Sequence, residues 1–281
     1  MILKKINALP LLICILIFAC NSPQRYMYST PAANVCYFKE KNDSKLAAYY
    51  FEGGPGGNSN KPHLTNTGFD VQTGYAYSNN WAVTAAYWHR DETDSSYFNY
   101  EDDQNRSIVK YKRNLIELGL GRFSLNKGKK STGNLFFGVG FGNYRLQDDG
   151  IDTSVLYSKI YKISFYKFYF QPSVNIVVAK YVHAAFGGRI SFMQYGTSST
   201  TYTNVEKSYW HFDRLDRAEA IFVEPNINLQ LGLPEADWIR FEANLNFLLF
   251  DFGYPLAETL SKRKGGLSVG LAFSPSKAFK K

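Results

Sequence analysis

The sequence predicts an all-β protein, a closed antiparallel transmembrane β-barrel of about ten strands, on three observations. Apolar and polar residues alternate with a period of two over long stretches, so each stretch is a ribbon with one oily and one wet face. Several stretches outrun the ~5–6 residues usual in soluble strands and reach the ~9–11 needed to cross a bilayer. Short turns and longer polar connections then alternate between them, which puts the turns on one side of a membrane and the loops on the other.

Residues 1–19 read as a secretory signal. Lys4 and Lys5 precede an apolar run from Ala8 to Ala19 that is too short for a spanning helix. The stretch Ile17-Phe18-Ala19-Cys20 resembles the lipobox of bacterial lipoproteins, which implies cleavage before Cys20 and a covalent lipid, palmitate included, on its thiol. No other cofactor is expected. Cys14 leaves with the signal and Cys36 stands alone, so no internal disulfide can form. Residues 20–44 are expected to be an irregular, lipid-anchored periplasmic tether. Residues 45–273 make the barrel, and residues 274–281 form a basic periplasmic tail.

Strands are expected at 45–53, 67–78, 81–90, 107–125, 133–147, 158–178, 181–195, 219–232, 237–250 and 264–273. Two of them show the alternation most cleanly. Ile221, Val223, Pro225, Ile227, Leu229 and Leu231 share one face, opposite Glu224, Asn226, Asn228 and Gln230. Ile239, Phe241, Ala243, Leu245, Phe247 and Leu249 oppose Arg240, Glu242, Asn244 and Asn246. Pro172 and Pro225 fall on outward positions, where each removes a ladder donor. The longer connections are 54–66, 91–106, 148–157, 196–218 and 251–263. Over residues 45–273 the chain resembles the outer-membrane β-barrel superfamily of Gram-negative bacteria, and Leu267–Phe273 looks like its aromatic-ended final strand. The resemblance implies the cell outer membrane, with both chain ends periplasmic.

Composition agrees with strands and excludes other classes. Aromatic residues make up 17% of the chain, with 21 Tyr and 22 Phe. A mean hydropathy of −0.29 rules out a bundle of membrane helices, each of which needs ~20 apolar residues. The formal charge is +8, or about +6 once Lys4 and Lys5 leave. Its lysines are dispersed rather than clustered, which argues for anionic lipid headgroups as neighbours and against nucleic acid.

The inward face gathers Asp70, Gln72, Glu117, Gln171, Asn175, Arg189, Glu224, Arg240 and Glu242. Buried charges must pair, so Arg189 and Arg240 are expected among Asp70, Glu117, Glu224 and Glu242 as a lumen charge network. The connection 91–106 holds six acids and three aromatics (Tyr97, Phe98, Tyr100), a candidate cation or partner site together with Tyr209 and Trp210. His211-Phe212-Asp213 resembles, in reversed order, the Asp-His dyad of omptin proteases, with Asp91, Asp94, Asp102 and Asp103 as further carboxylates. No serine-nucleophile, phosphate-loop or metal-spacing motif is present. The expected function is a non-enzymatic structural or accessory subunit of an outer-membrane protein complex. An omptin-like protease and a narrow solute channel are the alternatives.

Overall fold

The computed structural model describes residues 26–53, 64–95, 105–126, 128, 130–152, 155–236, 238–252, 261–263 and 265–278. Ten strands build the wall: β2 (Ser44–Gly53), β3 (Leu64–Ala76), β4 (Trp81–Asp94), β5 (Asn105–Leu125), β6 (Ser131–Asp152), β7 (Val155–Ala179), β8 (Val182–Tyr195), β10 (Glu219–Gly232), β11 (Ile239–Phe247) and β14 (Gly265–Phe273). Every neighbouring pair is antiparallel, and β11 pairs with both β10 and β14, which closes the ring. Closure leaves no exposed strand edge, the requirement for a sheet in hydrocarbon. Four minor strands complete the set: β1 (Tyr26–Ser29), β9 (Ser199–Thr200), β12 (Phe250–Phe252) and β13 (Ser261–Arg263).

The alternation read from the sequence is the in-and-out alternation of this wall. Leu118, Phe137, Val139 and Phe168 are more than half exposed on the outer surface, while Glu117, Phe136 and Lys167 beside them in sequence are buried inside. Strand limits follow the expected ones closely except at 91–94, which β4 takes up, and at 148–157, where a loop was expected. There β6 runs on to Asp152 and β7 begins at Val155. The outward residues at that end, among them Lys110, Arg145 and Lys162, are exposed and charged. The sheet therefore continues past the apolar band into water, where no hydrophobic contrast marks it.

Both outward prolines meet β8 at one point. Pro225 of β10 is opposite Gly188 of β8, and the β7–β8 ladder skips Gln171 and Pro172 between Phe170↔Ile190 and Ser173↔Gly187. The two missing donors thus flank one glycine, and Gly188 has open space where a side chain would stand. A second glycine position is tighter. A Cβ on Gly138 would lie 2.2 Å from the Tyr169 ring, so the absent side chain is what lets Tyr169 lie flat against β6.

The interior departs from expectation. Residues 20–44 were expected as a tether outside the barrel, yet residues 27–36 and 38 are all buried, and they run through the lumen. Phe38 packs on Phe123, Ala76 and Ala82 near the short turns, and Tyr28 stacks on Phe222 at 4.1 Å toward the long loops. The physical reason is that Tyr26–Phe38 carries no charge and includes Met27, Val35 and Phe38, side chains that water disfavours.

Candidate functional site in the barrel lumen

The lumen is built in two tiers. In the lower tier the inward amides of the wall serve the backbone of the threaded segment. Gln72 donates to the Ala32 carbonyl at 3.0 Å and Gln171 to the Asn34 carbonyl at 3.1 Å. Lys45 donates to the Val35 carbonyl at 2.7 Å, and Asn134 and Asn175 both donate to that of Cys36, at 3.0 and 3.1 Å. Asn246 accepts from the Ala33 amide at 3.2 Å. An extended chain with no neighbouring strand leaves its peptide groups unpaired, and burying them unpaired is costly. The asparagine- and glutamine-rich inner face supplies the partners.

Among the described residues the buried charges form separate groups rather than one network. At the centre Arg189 donates twice to Glu117, at 3.1 and 3.0 Å, and twice to Gln171, at 3.0 and 2.6 Å. Lys167 bridges Glu117 at 3.3 Å and Glu224 at 3.4 Å. Tyr28 of the threaded segment donates to Glu224, as does Ser191 at 2.8 Å. Nearby, Arg90 grips Asp70 through both terminal nitrogens, and Ser268 donates to Asp70 at 3.2 Å. Toward the short turns, Lys45 pairs with Glu242 at 2.9 Å, and Tyr49 also donates to that carboxylate.

The expected residues are therefore divided. Glu117, Arg189 and Glu224 come together, while Asp70 and Glu242 each have a separate cationic partner. Arg240 corrects the expectation: it contacts His183 at 2.6 Å and Gln230 at 3.0 Å, near the short turns and six residues of β10 away from Glu224. Sequence reasoning missed Lys45, Arg90, Arg113 and Lys167. Parity along the strand was the available signal, since Lys167 is in step with Gln171 and Arg113 with Glu117.

The upper tier is an aromatic core. Tyr111, Tyr144, Tyr161, Phe165 and Tyr195 point inward, and the connection 196–218 folds down onto them. Phe212 is buried and stacks on Tyr161 at 4.3 Å, and Tyr202 donates to Asp148 at 3.1 Å. A short helix, α1 (Asn204–Tyr209), is held by a capping box between Thr203 and Glu206. Partial burial pushes the Glu206 carboxyl up, but hydrogen bonds from the Thr203 backbone and hydroxyl and from Lys159 outweigh it and hold the group below its usual range. Trp210 packs against the core, whereas Tyr209 is exposed.

The candidate chemical groups are spread out. His211 takes a left-handed backbone conformation (φ 59°) that buries Phe212 and leaves Asp213 exposed. Pleating splits the acids of 91–106. Asp91 faces outward to His89 at 2.8 Å and Lys112 at 3.6 Å, while Glu92 faces inward to Arg113 at 2.9 Å and Asp94 is buried. Asp102, Asp103, Tyr97, Phe98, Tyr100 and Cys20 lie outside the described residues. Among the described residues no three His, Cys, Asp or Glu side chains gather in a way that could hold a metal ion.

A closed ten-stranded antiparallel barrel with an apolar outer band, short turns at one end and longer connections at the other has the fold of outer-membrane β-barrels. One solved structure agrees at the level of fold, and two others are reported beside it. The translocator domain of the autotransporter NalP from Neisseria meningitidis is similar over 83% of this chain and 88% of its own, with a TM-score of 0.50 and 12% identity. The transport unit of the autotransporter AIDA-I from Escherichia coli covers 86% and 92%, with 0.45 and 9%. The outer membrane protease OmpT from Escherichia coli covers 85% and 99%, with 0.41 and 10%. No protein-family model and no curated protein matches the sequence.

Proposed function

We propose that this chain is a non-enzymatic outer-membrane barrel lipoprotein, a closed scaffold that acts as a structural or accessory subunit of an outer-membrane complex. One observation carries the reading: the lumen is occupied by the chain itself. Residues 27–38 fill its lower tier and the connection 196–218 caps the upper one. Asn134, Gln171, Asn175, Glu117 and Arg189, wall groups that would select a solute or bind a substrate in an open barrel, are engaged with the threaded segment or with each other. What remains for partners is the outer surface, the loops and the rim.

The test is electrical and biochemical together. Purified protein in a planar bilayer should show no stable open level, peptide libraries should stay uncut, and a tag at Lys277 should recover outer-membrane partners under gentle detergent. A large single-channel current would favour a pore. Cleavage lost on His211→Ala would favour a protease, and recovery of the protein alone would count against the accessory role.

A further inference from the structure

On β5, β6 and β7 the outward side chains change character in steps as the wall leaves the apolar band. Ile116, Phe141 and Tyr166 are directly opposite one another across the three strands, each at least half exposed, and the Phe141 and Tyr166 rings are 5.4 Å apart. Two residues farther toward the long connections, the next outward row is Asn114, Asn143 and Ser164. Two residues beyond that, it is Lys112, Arg145 and Lys162, all exposed. At ~3.3 Å per residue each row is ~7 Å from the last along the strand. Apolar, uncharged polar and cationic side chains thus follow one another over one patch of wall.

The cationic row is unfavourable to the bare protein. Residues directly opposite in an antiparallel pair are ~5 Å apart, and like charges placed so repel. Arg145 has a lysine on either side. Asp91 of β4 continues the row, opposite Lys112 and 3.6 Å from its ammonium, and so offsets one of the three charges. Arg145 reaches the Gln147 side-chain oxygen at 3.5 Å, and among the described residues neither it nor Lys162 pairs with a carboxylate.

An anion would relieve this repulsion, and the two rows beside it indicate its kind. A soluble anion would use the cations alone. A membrane lipid has all three parts in the same order: a charged phosphate, an uncharged polar middle and acyl chains. The end with the long connections is the one that outer-membrane barrels turn outward, so the leaflet in question is the outer one. Two uncompensated positive charges match a phosphate monoester, which carries about −1.5 to −2 near neutral pH. The planar guanidinium of Arg145 can meet two of its oxygens at once.

We infer that Lys112, Arg145 and Lys162 form a binding site for the phosphate monoester of an outer-leaflet lipid, whose polar middle lies against Asn114, Asn143 and Ser164 and whose acyl chains run along Ile116, Phe141 and Tyr166. The site is on the outside of the wall. It therefore requires no opening in the filled lumen and does not depend on a lipid at Cys20.

The experiment uses the full chain purified in a non-ionic detergent. It is titrated with lipid A bearing its phosphate monoesters, with the same lipid dephosphorylated, and with inorganic phosphate, and bound lipid is counted by native mass spectrometry. A basic side chain near a lipid phosphate is worth about a factor of five in affinity, so Arg145→Gln should weaken lipid A binding about fivefold. Lys112→Gln, Arg145→Gln and Lys162→Gln combined should weaken it about 100-fold, to the level of the dephosphorylated lipid. Lys180→Gln, an exposed turn position at the opposite end, should bind like the parent. Heat stability gives a second readout. Without lipid the triple variant should unfold no earlier than the parent, because repulsion has been removed, and lipid A should stabilise the parent but not the variant. Equal binding of the dephosphorylated lipid, or a triple variant within about twofold of the parent, overturns the inference. Displacement of lipid A by an equal concentration of inorganic phosphate makes the row a free-anion site and overturns the lipid assignment. A triple variant less stable than the parent without lipid shows that these charges are compensated within the protein, and overturns it as well.

Discussion

Removing Arg189 is the sharpest test of how the lumen is held. The central group carries two cations, Arg189 and Lys167, against two carboxylates, Glu117 and Glu224, and is therefore neutral. Arg189→Met deletes a two-pronged bond to Glu117 and two bonds to Gln171, and leaves two buried anions facing one ammonium. Breaking a buried pair from one side costs about 3–5 kcal/mol, and Lys167, still 3.3 Å from Glu117, places this case near 3. Urea unfolding of the detergent-embedded barrel, followed by tryptophan fluorescence, measures it. The partner substitution Glu117→Met alone should cost a similar amount. Combined, the two restore neutrality with packed apolar groups, so the double variant should lie within about 1–2 kcal/mol of the parent. Single variants within about 1 kcal/mol of the parent, or a double variant whose loss equals the sum of the singles, would refute the claim that these charges hold one another.

Three further outcomes follow from other parts of the molecule. Leu245, facing lipid on β11, should tolerate Phe but lose about 2–4 kcal/mol on Leu245→Arg in the same assay, and equal stability of the two would place that face out of hydrocarbon. Gly138→Ala forces a methyl into the Tyr169 ring and should cost about 1–3 kcal/mol, a penalty that disappears in a Tyr169→Ala background if the ring is the cause. Palmitate should label the parent chain and not Cys20→Ser, and label that survives the substitution removes the lipoprotein reading.

The wall was legible because a barrel in lipid separates its two faces more sharply than most folds do. Ile227 and Leu229 against Asn226 and Asn228 is a contrast that any period-two reading detects. The same reading weakens on β7, where Tyr161, Ile163 and Phe165 point inward just as Tyr166 and Phe168 point outward, so Lys167 is flanked on its own face by Phe165 and Tyr169 and only Gln171 beyond them marks its side. Residues 26–38 were misassigned for a different reason. An extended segment inside a ring has neighbours in every direction and so no periodicity, and its one signal was a thirteen-residue stretch without a charge immediately before Lys39-Glu40-Lys41. The separation of Arg240 from Glu224 depends on register along β10 and β11, which composition does not encode.

A strand through a closed ring is also a constraint on history. Residues 32–38 touch β3, β6, β7 and β11 at once, on all sides of the lumen. Partners on every side hold that segment in place. A wall that closes around the thread gains these partners as its last seam pairs, and a wall that closes without it leaves Gln72, Gln171, Asn134 and Asn175 lacking the carbonyls they donate to.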